Sequence, residues 1–188
     1  MDCNPCQEFL DIIHDQRYSF VKGVQGNWDN HRIMLPLALE LTKGLVIELG
    51  SGEGSTPFLR KYCKEEGREF RTYDHHPEWS EKMGAVHIAD WDKADIWHPC
   101  GLLFVDHAPG EHRYIAIERM KDKADIIVVH DSEDAATGYM LAKIWHLFKY
   151  RLNFNRRGGG AGVTAISNTI DLNKYRGLRF GQYKFDYD

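Results

Sequence analysis

The chain has 188 residues, 43% of them hydrophobic and 28% charged, and carries a net charge of −4 at neutral pH. That length fits one domain whose core needs neither disulfides nor metals to hold it together. A net negative chain lacks the basic footprint of a dedicated nucleic-acid binder, with Arg156 and Arg157 as the one local basic patch. No apolar run approaches the roughly 20 residues of a membrane helix, and the N-terminal MDCNPCQEFLD has neither a basic nor an apolar signal region. Cys3 and Cys6 form a C-x-x-C pair, but Cys63 and Cys100 supply no second close pair, which argues against structural zinc. Reduced thiols and a cytoplasmic location are the expectation.

Residues 7–21 place apolar groups at helical spacing and predict an opening helix. A polar, glycine-punctuated loop, KGVQGNWDNHR, follows, and residues 33–41 predict a second helix with Pro36 in its first turn. Lys43 and Gly44 end it, and 45–49 reads as a short buried strand. Residues 56–66 predict a helix closed by Gly67, 70–73 a second strand and 79–83 part of a helix. Strands are expected at 86–89, 102–105 and 126–129, and helices at 113–120 and 135–147. Apolar strands alternating with helices imply a parallel sheet buried on both faces. The segments 148–154 and 163–170 are joined by NRRGGGAG, a link short enough only for an antiparallel hairpin. A plain nucleotide-binding fold would not end this way.

The sequence V-I-E-L-G-S-G-E-G-S-T spans residues 46–56, after a strand and at the start of a helix. There a glycine-rich turn brings backbone N–H groups close to a ligand. Gly50, Gly52 and Gly54 are spaced G-x-G-x-G, not G-x-G-x-x-G. Glu48 precedes them, where a pyrophosphate would meet a negative charge but the cationic end of an amino acid would be welcome. Asp74 closes the strand FRTY about 20 residues further on, placed to bond both ribose hydroxyls. Asp90 follows VHIA, placed to reach an adenine edge.

At these residues the chain resembles the class I S-adenosylmethionine-dependent methyltransferases, over roughly residues 45–170. The resemblance implies a three-layer Rossmann-like α/β fold, with a mostly parallel seven-stranded sheet ending in an antiparallel hairpin. Within one domain, 1–43 would be a helical lid segment, 44–170 the cofactor-binding core and 171–188 a tail. It implies S-adenosylmethionine as cofactor. Glu48, Gly50, Ser51, Gly52, Gly54 and Ser55 would line its methionine end, Asp74 and His75 its ribose, and Asp90 with Trp91 its adenine.

The predicted fourth strand ends in Asp106-His107 and the fifth in His130-Asp131. Ligands of open parallel sheets bind outside such ends, so Asp106 should face both the cofactor and the transferred methyl. In one reading Asp106 and Asp131 bind Mg²⁺ or another divalent cation that holds a substrate hydroxylate, with His107 or His130 as general base. This looks like the catechol-type O-methyltransferases, although Ser132 stands where that family has Asn and Pro109 where it has its catalytic lysine. In a second reading no metal binds and a histidine alone deprotonates the acceptor. In a third, Asp106 caps the next segment and the histidines bond to loop backbone. Without a cation, the neighbouring carboxylates should repel and one should have a raised pKa.

The strings VDHAPGEHR and NWDNHR also resemble small methyltransferase-like proteins of bacteria and phages, a likeness that supplies no substrate. Asp-His-Ala-Pro replaces the Asn/Asp-Pro-Pro-aromatic motif of amino-methylating DNA enzymes, which favours an oxygen on a small-molecule acceptor. Two other classes stay open: a protein that binds S-adenosylmethionine or a nucleotide without methyl transfer, and an NAD-linked oxidoreductase. Residues 27–31 read as a lid or a packing anchor, and the loop 155–162 as a mobile link or an anion contact. The acceptor's identity and the oligomeric state are not written in the sequence.

Overall fold

The computed structural model describes residues 5–15, 31–94, 96–133, 138–156, 161–180 and 183–186. Three strands form its centre: β1 (Val46–Leu49), β4 (Cys100–Val105) and β5 (Ala124–His130). Every residue of β1 and β4 is buried, and all of β5 except Asp125, which is why these segments read as unbroken apolar runs. β1 pairs with β2 (Phe70–Asp74) on one side and with β4 on the other, with β5 beyond β4, all parallel. β3 (Val86–His87) is a short, exposed edge strand parallel to β2. β6 (Tyr150–Arg156) and β7 (Val163–Ser167) form the expected antiparallel hairpin, with β7 inserted antiparallel against β5.

These seven strands run in the order β3-β2-β1-β4-β5-β7-β6. Two more extend the sheet: β9 (Tyr183–Asp186) pairs with the outer edge of β6, and β8 (Arg179–Phe180) with β9. The sheet therefore continues into the segment expected to be a tail.

Alternation along the strands divides the core into two layers. Val46, Leu102, Phe104, Ile126 and Val128 pack with α1 (Pro5–His14), α2 (His31–Leu41) and α3 (Thr56–Glu65), through Phe9, Ile33, Leu37 and Leu59. Ile47, Leu49, Leu103, Val105, Ile127 and Val129 pack on the other face with Ala116, Ile117 and Met120 of α5 (Arg113–Met120). Each fully buried aliphatic side chain contributes roughly 1.5–3 kcal/mol, so the two layers carry most of the fold's stability. α4 (Pro77–Met83) closes the crossover between β2 and β3.

Two expectations need correction. α2 starts at His31, two residues early, so Pro36 lies inside the helix and not in its first turn. Of the helix expected at 135–147, the described residues 138–147 form only the 3₁₀ turns Leu141–Lys143 and Trp145–Leu147. Gly138 at φ +67 and Met140 at φ +59 hold left-handed conformations that no right-handed helix accommodates. The opening helix ends at His14, and its expected continuation to 21 lies outside the described residues, as do residues 27–30 and Arg157.

Gly50 joins the first turn to the end of β4. Its φ is +91, and a Cβ there would strike the carbonyl of Asp106 and lie 2.6 Å from the His107 nitrogen. Gly44 also has a positive φ, +75, but nothing lies within 4 Å of its would-be Cβ. Gly44→Ala should therefore cost about 1 kcal/mol of strain, and Gly50→Ala about 3 kcal/mol or more through strain plus collision. Urea unfolding of the two variants checks this; equal losses would show that the contact with β4 relaxes freely.

Candidate functional site

The carboxyl ends of β1, β2 and β4 converge where the chain's crossovers leave β1 in opposite directions, the switch point at which open sheets bind ligands. A cleft of about 300 Å³ opens there. Its walls are Gly50 and Ser51 of the glycine turn, Asp74 with His75 and His76 beyond β2, Trp79 of α4, and Asp106 with Ala108 beyond β4. Among the described residues, no lysine or arginine lines it.

Glu48 is fully buried beneath the turn and does not line the cleft. Its carboxylate accepts hydrogen bonds from Ser55 Oγ (2.5 Å), Thr56 Oγ1 (2.7 Å) and Thr72 Oγ1 (2.6 Å). Thr56 Oγ1 in turn accepts from the Gly52 N–H at 2.8 Å, so Glu48 fixes the turn from below. Burial pushes its carboxyl up to about 7 against the pull of the three hydroxyls. Glu48 and Ser55, expected at a methionine end, are bonded to each other in this support beneath the turn. Gly52 and Gly54 lie in the same turn, and Gly54 faces the ring of His31.

Asp74 stands at the cleft. Oδ2 accepts from the Ser51 N–H (2.8 Å) and Ser51 Oγ (3.1 Å), and Oδ1 accepts from the His76 N–H (2.9 Å). A carboxylate offers about four lone-pair sites, so capacity for further donors remains. His75 Nδ1 lies 3.5 Å from it, His76 caps α4 by accepting from the Trp79 N–H, and the Trp79 indole donates to the Ser51 carbonyl at 2.7 Å. Asp90 lies elsewhere, exposed and paired with Lys93 at 2.8 Å. Trp91 is buried, donates to the Ala108 carbonyl and stacks on His107 with ring centroids 4.5 Å apart. Neither Asp90 nor Trp91 is among the residues lining the cleft.

Beyond β4 and β5 the titratable cluster is closer than spacing alone implied. Asp106, His130 and Asp131 offer ligand atoms within 4.8 Å of one another, a group that could hold a metal. His130 Nδ1 lies 3.2 Å from Asp106 Oδ1 and 3.4 Å from Asp131 Oδ1. Between the carboxylates sits a buried cation absent from the sequence-based expectation. Arg113 Nη2 is 3.1 Å from Asp106 Oδ1 and Nη1 is 3.6 Å from Asp131 Oδ2. The same guanidinium donates to the His107 carbonyl (2.9 Å) and the His130 carbonyl (2.7 Å), under the ring of Tyr139 at 4.5 Å. Asp131 itself has φ +50, a left-handed conformation held between these partners.

The electrostatics follow. Burial works against the charged form of Asp106, yet His130, Arg113 and His31 hold its carboxyl below the usual range. The expected raising of one carboxyl is absent at Asp106, where the Arg113 guanidinium and the protonated His130 intervene. Burial disfavours charge on His130 too, but Asp106 and Asp131 raise it to about 10, so it keeps its proton and is poorly suited to act as a base. Burial holds His107 down to about 3, packed on Trp91 and away from the cleft. His31, at the start of α2, meets His130 edge-on at 5.0 Å, and burial lowers it to about 4. Both its ring nitrogens are buried without a hydrogen-bond partner among the described residues.

No family model matches the chain, and no curated protein matches it. Solved structures do. The chain is similar to cofactor-bound Rv0187 from MTB at 16% identity, over 90% of this chain and 100% of that one, with a TM-score of 0.53. It is also similar to the O-methyltransferase from Bacillus cereus in complex with SAH at 13% identity, over 89% and 92% of the two chains, with a TM-score of 0.49. At such identity the likeness is one of fold. The order β3-β2-β1-β4-β5-β7-β6 with β7 reversed is that of the class I methyltransferase fold, and this chain has it.

The buried state of His107 predicts a pH dependence. A histidine held neutral in the fold but titrating at 6.5 when unfolded contributes stability above that pH, and loses it as pH falls below 6.5. Between pH 7 and 5 the loss from this one group is about 2 kcal/mol. Urea unfolding of His107→Phe should therefore fall less steeply over that interval than the wild type. Parallel pH profiles would show that His107 is protonated in the folded protein.

Proposed function

We propose that this chain is an S-adenosylmethionine-dependent methyltransferase acting on an oxygen of a small-molecule acceptor. The observation that carries the reading is the cleft itself: a carboxylate on each wall, Asp74 and Asp106, across the Gly50–Ser51 turn, with no lysine or arginine lining it among the described residues. A pyrophosphate finds no counter-charge there. A nucleoside with ribose hydroxyls at one end and cationic groups at the other finds acceptors for both. The reversed β7 also separates this sheet from the all-parallel dinucleotide-binding order, which weighs against an NAD-linked oxidoreductase.

Asp74 and His75 would hold the ribose, and Gly50 and Ser51 the chain leading to the sulfur. The bound cofactor supplies a methyl group on a sulfonium, which departs as a neutral thioether. Asp106 is the acid beside the methyl end, and its Oδ1 is the oxygen taken by Arg113 and His130. Its Oδ2 then accepts the hydrogen of an acceptor hydroxyl and orients a lone pair toward the methyl. As the new O–C bond forms the hydroxyl proton becomes strongly acidic, so a carboxylate of low pKa suffices to receive it and pass it to solvent. The Asp-His-Ala-Pro sequence at this strand end and the chain's net charge of −4 support an oxygen on a small molecule over a nucleic-acid base.

Calorimetry with S-adenosylhomocysteine and NADH tests the proposal. Micromolar binding of the first, about −8 kcal/mol, and none of the second is expected. Asp74→Ala should weaken it by on the order of 2 kcal/mol, roughly 30-fold. No binding of S-adenosylhomocysteine at millimolar concentration would overturn the methyltransferase reading.

A further inference from the structure

Two carboxylates from adjacent strands and an imidazole within reach of both form a donor set that invites a divalent cation. The surroundings do not fit one. Arg113 is 4% exposed and already spans the two acids, 3.1 Å from Asp106 and 3.6 Å from Asp131. It also donates through Nε to the His107 carbonyl and through Nη1 to the His130 carbonyl, and Tyr139 covers its face. Tyr139 is itself seated by Gly110, where any Cβ would run into its ring. A guanidinium locked by two backbone carbonyls, two carboxylates and an aromatic face cannot swing aside without leaving several buried groups unpaired. An ion between Asp106 and Asp131 would have to share their oxygens with this fixed positive charge, against repulsion that a buried site screens little.

We propose that Arg113 is a built-in counter-cation that takes the place of a divalent metal at the β4 and β5 ends, making the site metal-independent. It is a positioning residue: it neutralises Asp106 and Asp131 and fixes Asp106 Oδ1, at a carboxylate that lines the cleft. The argument rests on the proposed function only for what Asp106 then does; the exclusion of the metal rests on Arg113 alone.

The test reads Mn²⁺ binding by electron paramagnetic resonance and S-adenosylhomocysteine binding by calorimetry, both on the full chain. Wild type should take up no Mn²⁺ at 1 mM, and its S-adenosylhomocysteine affinity should be the same within twofold in EDTA and in excess Mg²⁺, each on the order of the micromolar range. Arg113→Met, which opens the space and removes the charge, should gain one Mn²⁺ site, and Arg113→Met/Asp131→Asn should lose it again. Arg113→Lys, which keeps a positive charge, should take up none. A purely structural arginine would not confer a metal site on its removal. Should Arg113→Met unfold, wild type decides alone: a Mn²⁺ ion bound by wild type and lost in Asp131→Asn overturns the proposal, and its absence upholds it. Absence of S-adenosylhomocysteine binding throughout would remove the proposed function while leaving the Mn²⁺ result standing.

Discussion

The carboxyl end of this sheet depends on the placement of one guanidinium. Arg113 opens α5, yet its head reaches back under the ends of β4 and β5, where it meets Asp106, Asp131 and two strand-end carbonyls. Two buried or half-buried carboxylates on neighbouring strands, about 4.8 Å apart, would otherwise drive each other apart or take up a proton. With Arg113 and the protonated His130 between them, both charges are matched inside the protein. Asp106 can then sit at a cleft in its ionised form without needing solvent or an ion to stabilise it. The left-handed Asp131 and the irregular segment carrying Tyr139 make sense as parts of this arrangement, since both hold the guanidinium in place.

A second buried charge shapes the opposite wall. Glu48 lies under the glycine turn with three hydroxyl donors, and one of them, Thr56, passes the constraint to the Gly52 N–H. The turn is thereby pinned below while Gly50 abuts the Asp106 backbone beside it. Asp74 organises the facing side by taking the Ser51 and His76 N–H groups. The cleft is what remains between a turn fixed by one acid and two further acids whose positions are set by backbone donors and by Arg113. Its two carboxylates, with no lysine or arginine among the described residues of its walls, follow from that construction.

Much of this was legible in the sequence where a pattern has one physical meaning. The apolar runs of β1, β4 and β5, the bounds of α5, the β6–β7 hairpin and the glycine turn all correspond to spacings that few other structures satisfy. The site was legible in part. Asp74 and Asp106 end strands and so fall at the cleft. Glu48 shares its face of β1 with Val46, while Ile47 and Leu49 point the other way; its register partner is Thr72, a hydroxyl in a buried strand. That alternation was the available sign that Glu48 supports the turn from beneath. Arg113 carries no such sign, because an arginine in a helix's first turn looks the same in sequence whether its head is solvated or buried. The apolar spacing in 135–147 suggests a helix, and only the left-handed Gly138 and Met140 show why the described residues 138–147 form none. β8 and β9 are too short to stand out from a loop, and exist because β6 offers an edge.

The claim that joins these parts is that the cleft between Asp74 and Asp106 is a cofactor site. A crystal structure of the protein grown with S-adenosylhomocysteine tests it most directly. The account predicts ribose hydroxyls on the Asp74 carboxylate, the sulfur on the Asp106 side of the Gly50–Ser51 turn, and Arg113 still spanning Asp106 and Asp131. A nucleoside bound elsewhere on the sheet, with Asp74 and Asp106 left facing solvent, would contradict it.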